Sequence, residues 1–307
     1  MSSPFGPLYV IANPKAGRSM VAQELPELER ALRRRGLEYE IVETRAPGDA
    51  ERLAREALRD GRRFLVAVGG DGTVNEVVNG MIEDDRPVDP EAVLGVVAAG
   101  SGNDFVKTFG LAGDATRGSA ILAGDRLFPI DAGKITFTTA DGATATRYFA
   151  GIAEAGVGGA MAARAARLPK GLGRGRDFLG FWFALSRFKA PEITLRIGDT
   201  EVGGVANDVV VANCQFQNGG MRISPRSWPS DGLLDVLVFR GPRSEAFTRL
   251  PKLYHGDYLP DPNVGEYKGR TITLDAERPL PIQADGDVLG TTPATFELLR
   301  LPIRLKL

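Results

Sequence analysis

Phe64-Leu65-Val66-Ala67-Val68-Gly69-Gly70-Asp71-Gly72-Thr73-Val74-Asn75-Glu76-Val77-Val78 is the stretch that decides the fold. Five apolar residues read as a buried strand, two glycines stop it, and the following residues restart as a helix. Such a turn leaves backbone amides facing outward, where an anionic phosphate can approach the chain closely. Asp71 and Glu76 place carboxylates beside that turn, which makes electrostatic sense with a bridging divalent metal. The chemistry this turn suggests is phosphoryl transfer.

The same alternation extends on both sides of it. Leu8–Ala12, Tyr39–Glu43 and Val93–Ala98 are short apolar runs, followed by helical segments over Met20–Arg35, Asp49–Arg59 and Asn103–Phe109, with Thr73–Met81 after Phe64–Val68. Unbroken apolar strands alternating with amphipathic helices predict a doubly wound α/β domain, its parallel sheet covered on both faces. After Asp131 the segments become short and rich in Thr, Val and Ile: Lys134–Thr138, Arg147–Ala150, Ile193–Ile197, Val205–Ala212, Leu234–Phe239 and Thr271–Leu274. These predict a mainly antiparallel β-sandwich. At 307 residues the chain is long enough for two such domains. The expected division is residues 1–130 for nucleotide, 131–295 for substrate, and a C-terminal segment, 296–307, that either domain could claim.

Lys plus Arg number 38 against 39 for Asp plus Glu, a net charge of −1. No global basic field exists, so no nucleic-acid partner is expected. Cys214 is the one cysteine and His255 the one histidine, which rules out an internal disulfide and a zinc cluster. The first residues lack the basic and apolar regions of a leader, and no run approaches the roughly 18 apolar residues of a spanning helix. A soluble, cytoplasmic protein is expected.

In an open parallel sheet, ligands bind beyond the carboxyl ends of the strands. Three turns there are unusual: Asn13-Pro14-Lys15-Ala16-Gly17-Arg18, Gly69 to Thr73, and Gly100-Ser101-Gly102-Asn103-Asp104-Phe105. None is the G-x-x-x-x-G-K-[ST] loop, and none is a dinucleotide turn after the first strand.

The run Gly69 to Gly80, with the turns before and after it, resembles the bacterial diacylglycerol kinases and related lipid kinases. The similarity continues through Ile130 to Lys134, Asp231 to Asp235 and Gln283 to Asp287, and so covers nearly the whole chain. The resemblance implies an ATP site at Asn13, Pro14, Lys15, Ala16, Gly17, Thr44, Gly70, Asp71, Gly72, Thr73, Val74, Asn75, Glu76, Ser101 and Asn103, with Asp71 holding Mg2+ through water. It implies catalytic carboxylates at Asp285 and Asp287, one of them taking the acceptor hydroxyl's proton; Asp287 stands where the family usually has glutamate. It also implies a structural Mg2+ at the Asp231 side chain and the Trp228 and Leu233 carbonyls, with Ser230 where many relatives have a second aspartate. The implied activity is transfer of the ATP γ-phosphoryl group to a lipid hydroxyl, diacylglycerol or a relative, at the inner face of the membrane. A homodimer is compatible with the family.

The stretch Met161 to Pro191 interleaves Arg164, Arg167, Lys170, Arg174, Arg176, Arg187 and Lys189 with Phe178, Leu179, Phe181, Trp182, Phe183 and Phe188. Cations beside aromatics suit an anionic, partly apolar interface, and the same pattern suits a helix packing its aromatic face inward. Two other functions remain open from sequence: a phosphotransferase on a soluble acceptor like the NAD kinases, which share the Gly-Gly-Asp-Gly turn, and a nucleotide-binding regulator without turnover.

Overall fold

The computed structural model describes residues 3–99, 102–111, 115–167, 187–242 and 244–307. Gly100, Ser101 and most of the basic-aromatic stretch, residues 168–186 with Arg174, Arg176 and Trp182 among them, lie outside the described residues. The chain divides into two units, one of residues 1–132 with 299–307, the other of residues 133–298.

In the first unit the order is β1 (Leu8–Ala12), α1 (Ala16–Arg34), β2 (Tyr39–Glu43), α2 (Asp49–Arg59), β3 (Phe64–Gly69), α3 (Asp71–Met81), a small hairpin of β4 (Ile82–Glu83) and β5 (Arg86–Pro87), β6 (Val93–Ala98), α4 (Asp104–Thr108) and α5 (Ala115–Ala123). β1 pairs in parallel with both β2 and β3, and β3 with β6. β1 and β3 are buried at every position, as strands covered on both faces must be. One core cluster joins Leu8, Val10, Phe64, Val66 and Val93 from the strands to Val21, Leu28 and Leu32 from α1 and Leu122 from α5. The prediction of a doubly wound α/β domain holds. Two helices begin earlier than their apolar pattern indicates, α1 at Ala16 and α3 at Asp71, because their first turns are made of the polar and small residues of the site itself.

The second unit carries β7 (Leu127–Thr138), which enters from the first, then β8 (Thr144–Phe149), β9 (Ile152–Gly156), α6 (Val157–Arg167), β10 (Glu192–Ile197), β11 (Thr200–Val205), β12 (Asp208–Ala212), β13 (Leu234–Phe239), α7 (Glu245–His255), β14 (Val264–Gly269), β15 (Thr271–Ala276), β16 (Pro281–Ala284) and β17 (Asp287–Lys306). One antiparallel run goes β14-β13-β12-β9-β16-β17. β17 also pairs with β15, and β15 with β10, so this one long strand belongs to both sheets of the sandwich. The core between them holds Val209, Val211, Ala153 and Ile282 against Leu195, Ile272, Leu274 and Phe296. On the opposite face of β12 and β13, Val210, Leu237 and Phe239 pack with Tyr258 and with Leu253 of α7.

The run Val205–Ala212 is not one strand. Val205 ends β11, and Asn207 turns the chain by donating its backbone N–H to Phe239 and its side-chain amide to the Gly241 carbonyl. The last strand returns to the first unit, where Arg304 and Leu305 pair in parallel with Val93 and Leu94. There Lys306, fully buried, donates to the carbonyls of Arg126 and Leu307. No helix among the described residues is long and apolar enough to cross a membrane.

Candidate active site

In the first unit the site is built at the carboxyl ends of β1, β3 and β6. Asn13 follows β1, donates its backbone N–H to Val68 and its side-chain amide to the Thr73 hydroxyl at 3.3 Å, and accepts the Lys15 N–H at 3.1 Å. One side chain thereby ties the first turn to the start of α3. An ideal Cβ on Gly69 would stand 2.4 Å from that Thr73 hydroxyl, so only glycine lets the threonine fold back over the strand end. Gly17 is constrained twice: its φ is +58°, and a Cβ there would stand 2.4 Å from the Ala99 carbonyl oxygen. Pro14, Lys15 and Ala16 complete the turn; the Lys15 ammonium approaches the Arg45 carbonyl at 3.5 Å. Thr44 is buried at the end of β2, its N–H on the Ala12 carbonyl.

Neither α1 nor α3 has a side-chain cap at its start, where Lys15 and Gly70 are the N-cap residues. Helix starts without side-chain caps behind adjacent parallel strands present the positive ends of two dipoles, while the Ala16 and Thr73 N–H groups are taken by the Asn13 and Gly70 carbonyls. Gly72 meets nothing within 4 Å of where a Cβ would be, so the outer face of the α3 turn is open.

Asp71, the first residue of α3, turns toward β6 and α4. Its Oδ1 accepts the Phe105 N–H at 3.0 Å, and an ideal Cβ on Gly102 would lie 2.8 Å from its Oδ2. Asn103, the N-cap residue of α4, stands in the left-handed region at φ +54°. Burial pushes the Asp71 carboxyl above the usual carboxylate range, and the neighbouring Asp104 charge adds to that, against the Phe105 and Asp104 amides and Lys107. Asp104 is buried and paired with Lys107 at 3.1 Å. Two crowded acids, one with a raised pKa, form a donor set whose repulsion a divalent cation would relieve by taking the place of the Lys107 ammonium at Asp104. Unlike Asp231 they stand as a pair, so Asp71 with Asp104 fits Mg2+.

Val74, Asn75 and Glu76 sit differently from the rest of the predicted nucleotide set. Val74 and Asn75 are buried, and Asn75 accepts the Asn79 amide on both its carbonyl oxygens. Glu76 accepts the Ala50 N–H at 3.0 Å, at the start of α2. Glu76 thereby ties α3 to α2, while the Asn75–Asn79 bonds lie within α3. Ser101 lies outside the described residues.

In the second unit, Asp285 and Gly286 are the central pair of the β16–β17 hairpin, with φ of +48° and +89°. Two consecutive left-handed residues match a tight hairpin turn of the kind that favours Asp-Gly. The Asp285 carboxylate accepts N–H groups from Ala150 at 3.0 Å, Gly151 at 3.3 Å and Ile152 at 2.8 Å. It therefore anchors the β8–β9 turn. Asp287 faces outward, its side chain 46% exposed, with an Arg147 guanidinium nitrogen at 3.8 Å. Geometry separates the two acids that sequence leaves equivalent. Asp285→Ala is expected to cost about 3 kcal/mol of stability by stranding three amides, measured by urea unfolding.

The predicted structural metal site does not fit a metal. Asp231 Oδ1 accepts the Leu233 N–H at 3.0 Å, and its Oδ2 meets the Lys268 ammonium at 2.9 Å. Lys268 also pairs with Asp235 at 3.2 Å. The Trp228 carbonyl accepts N–H groups from both Ser230 and Asp231. An ammonium thus supplies the positive charge that the resemblance assigns to Mg2+, with Ser230 providing no second carboxylate. Chelation by EDTA is expected to leave the melting temperature unchanged, whereas Lys268→Met lowers it by about 2–4 °C, roughly 1 kcal/mol for a partly exposed pair.

Sequence reasoning missed Asp104, although it stood in the quoted turn, and missed Glu154, buried in β9 with Gln217 and Gln283 donating to it. The sign of Glu154 was an acid inside the apolar run Ile152-Ala153-Glu154-Ala155.

A two-unit protein with uncapped helix starts and a buried acid in its α/β half, and an exposed acid on a hairpin of its sandwich, is built as a phosphotransferase. Residues 7–135 match the diacylglycerol kinase catalytic domain, and residues 151–307 match the YegS C-terminal NAD kinase beta sandwich-like domain. The chain belongs to the diacylglycerol kinase family of lipid kinases. It is 25% identical over 297 residues to a diacylglycerol kinase of Bacillus subtilis (strain 168), covering 94% of this chain and 91% of that protein. A diacylglycerol kinase of Staphylococcus aureus (strain JH9) is also 25% identical, over 292 residues, 94% of this chain and 88% of that protein. The crystal structure of a diacylglycerol kinase from Bacillus anthracis str. Sterne superposes with a TM-score of 0.68 at 21% identity, covering 98% of this chain and 96% of that one. This last likeness is one of fold.

Proposed function

We propose that the protein transfers the γ-phosphoryl group of ATP to the hydroxyl of diacylglycerol or a closely related lipid, with Mg2+. The observation that carries this reading is the cluster at the ends of β1, β3 and β6, where Asn13, Gly17 and Thr73 close a turn over two uncapped helix starts beside Asp71. Backbone amides and Lys15 suit the phosphate oxygens. Asp71 and Asp104 are the residues that would hold the metal, which supplies charge neutralisation on the phosphates when bound. Asp287 takes the proton from the acceptor hydroxyl, because Asp285 is committed to three amides. The basic and aromatic residues between Met161 and Pro191 are the segment proposed to meet the lipid surface at the inner membrane face.

Radiolabelled ATP with diacylglycerol in mixed micelles, and with NAD in parallel, tests the reading. Label in the lipid product supports it. Label only in NAD favours a soluble acceptor, the reading that the Gly-Gly-Asp-Gly turn shared with NAD kinases leaves open. ATP binding without transfer to either makes the protein a regulator.

A further inference from the structure

Asp287 is exposed, and it sits on a hairpin whose central residues both have positive φ. Some group must hold that hairpin in register if its carboxylate is to meet a hydroxyl with the accuracy proton transfer demands. The Asp285 carboxylate fixes one side of the turn. The other side is held by Gln283, whose Oε1 accepts the Gly286 N–H at 2.9 Å. Gly286 is the residue between the two acids.

Gln283 is itself buried, and its amide is oriented from below. Its Nε2 donates to Glu154 Oε2 at 2.8 Å, which leaves Oε1 aimed at Gly286. Glu154, also buried in β9, accepts Gln217 Nε2 on its other oxygen. A carboxylate can accept from both amides at once; an amide or a hydrocarbon in its place cannot. Burial raises the Glu154 pKa, opposed by the two amide donors. A polar group kept in the core between two glutamines is costly unless those bonds are made, which makes the chain of bonds rigid.

We infer that Gln283 is a positioning residue, locked by the buried Glu154 carboxylate, that sets the Asp285-Gly286-Asp287 turn and through it the carboxylate of Asp287. The inference rests on the reading of Asp287 as proton acceptor. Gln283 acts through the Gly286 amide, and Glu154 acts through Gln283.

The test uses the full chain in the lipid kinase assay. Gln283→Met, of similar length and without the two polar ends, lowers kcat about ten- to a hundredfold, the scale of a small misplacement, while KM for ATP stays within about twofold. Glu154→Gln and Gln283→Glu each lose activity, the first by pointing an amide donor at another donor, the second by setting two carboxylates face to face. The exchange Glu154→Gln with Gln283→Glu restores every pairing: the new amide accepts from Gln217 and donates to residue 283, which still accepts from Gly286. That double variant recovers to within about threefold of wild type, a recovery a general loss of packing would not show. In parallel, the Gly286 amide is protected from hydrogen exchange in the wild type and loses that protection in Gln283→Met.

Wild-type kcat in Gln283→Met, or a double variant no better than its parents, overturns the inference. If Gln283→Met does not fold, the double variant decides alone. Asp287→Asn run beside them separates the two readings. An active Asp287→Asn removes the proton-acceptor role, whereas an inactive one beside a fully active Gln283→Met removes only the positioning role. The exchange measurement needs no turnover, and an unprotected Gly286 amide in the wild type sinks the inference by itself.

Discussion

Asp287→Asn lowers kcat by about a thousandfold and leaves KM for ATP within about twofold, because a general base contributes on that scale and acts on the acceptor hydroxyl alone. The expectation comes from how the two acids of the hairpin are used. Asp285 commits its carboxylate to the amides of Ala150, Gly151 and Ile152, and an ideal Cβ on Gly151 would reach its Oδ1 at 2.3 Å, so the carboxylate is packed against its own turn. Asp287 has an exposed carboxylate with Arg147 beside it, the arrangement a base needs to meet an incoming group. Asp287→Glu, which supplies the residue usual in the family, retains turnover since the added methylene extends an exposed side chain. The measurement is steady-state kinetics on both variants with the melting temperature as control. Asparagine supporting wild-type turnover would move the base elsewhere, while a lost fold would show as a shifted melting curve.

The division between what the sequence revealed and what it hid follows the range of the interactions. β1, β3 and β6 were legible because strands buried on both faces are apolar without interruption, a property visible in five or six residues. The three turns after them were legible for the same reason, since each contains the glycines and small polar residues it needs locally. β9 was not, because Glu154 interrupts its apolar run, and the residues that make that acid tolerable, Gln217 and Gln283, stand 63 and 129 positions away. α7 was hidden by Pro251 inside it. The roles of Asp285 and Asp287 could not be told apart because three amides from a distant turn make the difference. Asp231 reads as a metal ligand because Lys268, 37 positions on, is invisible to a local motif.

Asp71→Asn abolishes turnover, a loss of at least about a thousandfold, and leaves a protein that melts no lower than the wild type. Both halves follow from one environment. The carboxyl is buried next to Asp104, so its pKa stands above the ordinary range, and an ionised Asp71 costs the nucleotide-free protein stability at neutral pH. For an acid whose folded pKa is raised, that cost is present above the folded pKa and disappears as pH falls through it. Asparagine removes the charge while its oxygen still accepts the Phe105 N–H, so the start of α4 stays capped. Alanine removes the acceptor as well and is expected to cost about 1 kcal/mol. The same raised pKa sets the acid side of kcat/KM for ATP, which falls at a higher pH than an ordinary carboxylate would give, because the metal needs the ionised form. Asp104→Asn takes away the second cause of the shift and moves that limb to lower pH. Titration of kcat/KM in the wild type and Asp104→Asn, with calorimetric melting of Asp71→Asn, checks the three statements together. An acid limb that does not move, or an Asp71→Asn variant that turns over, would show that the buried carboxylate serves the fold and not the nucleotide.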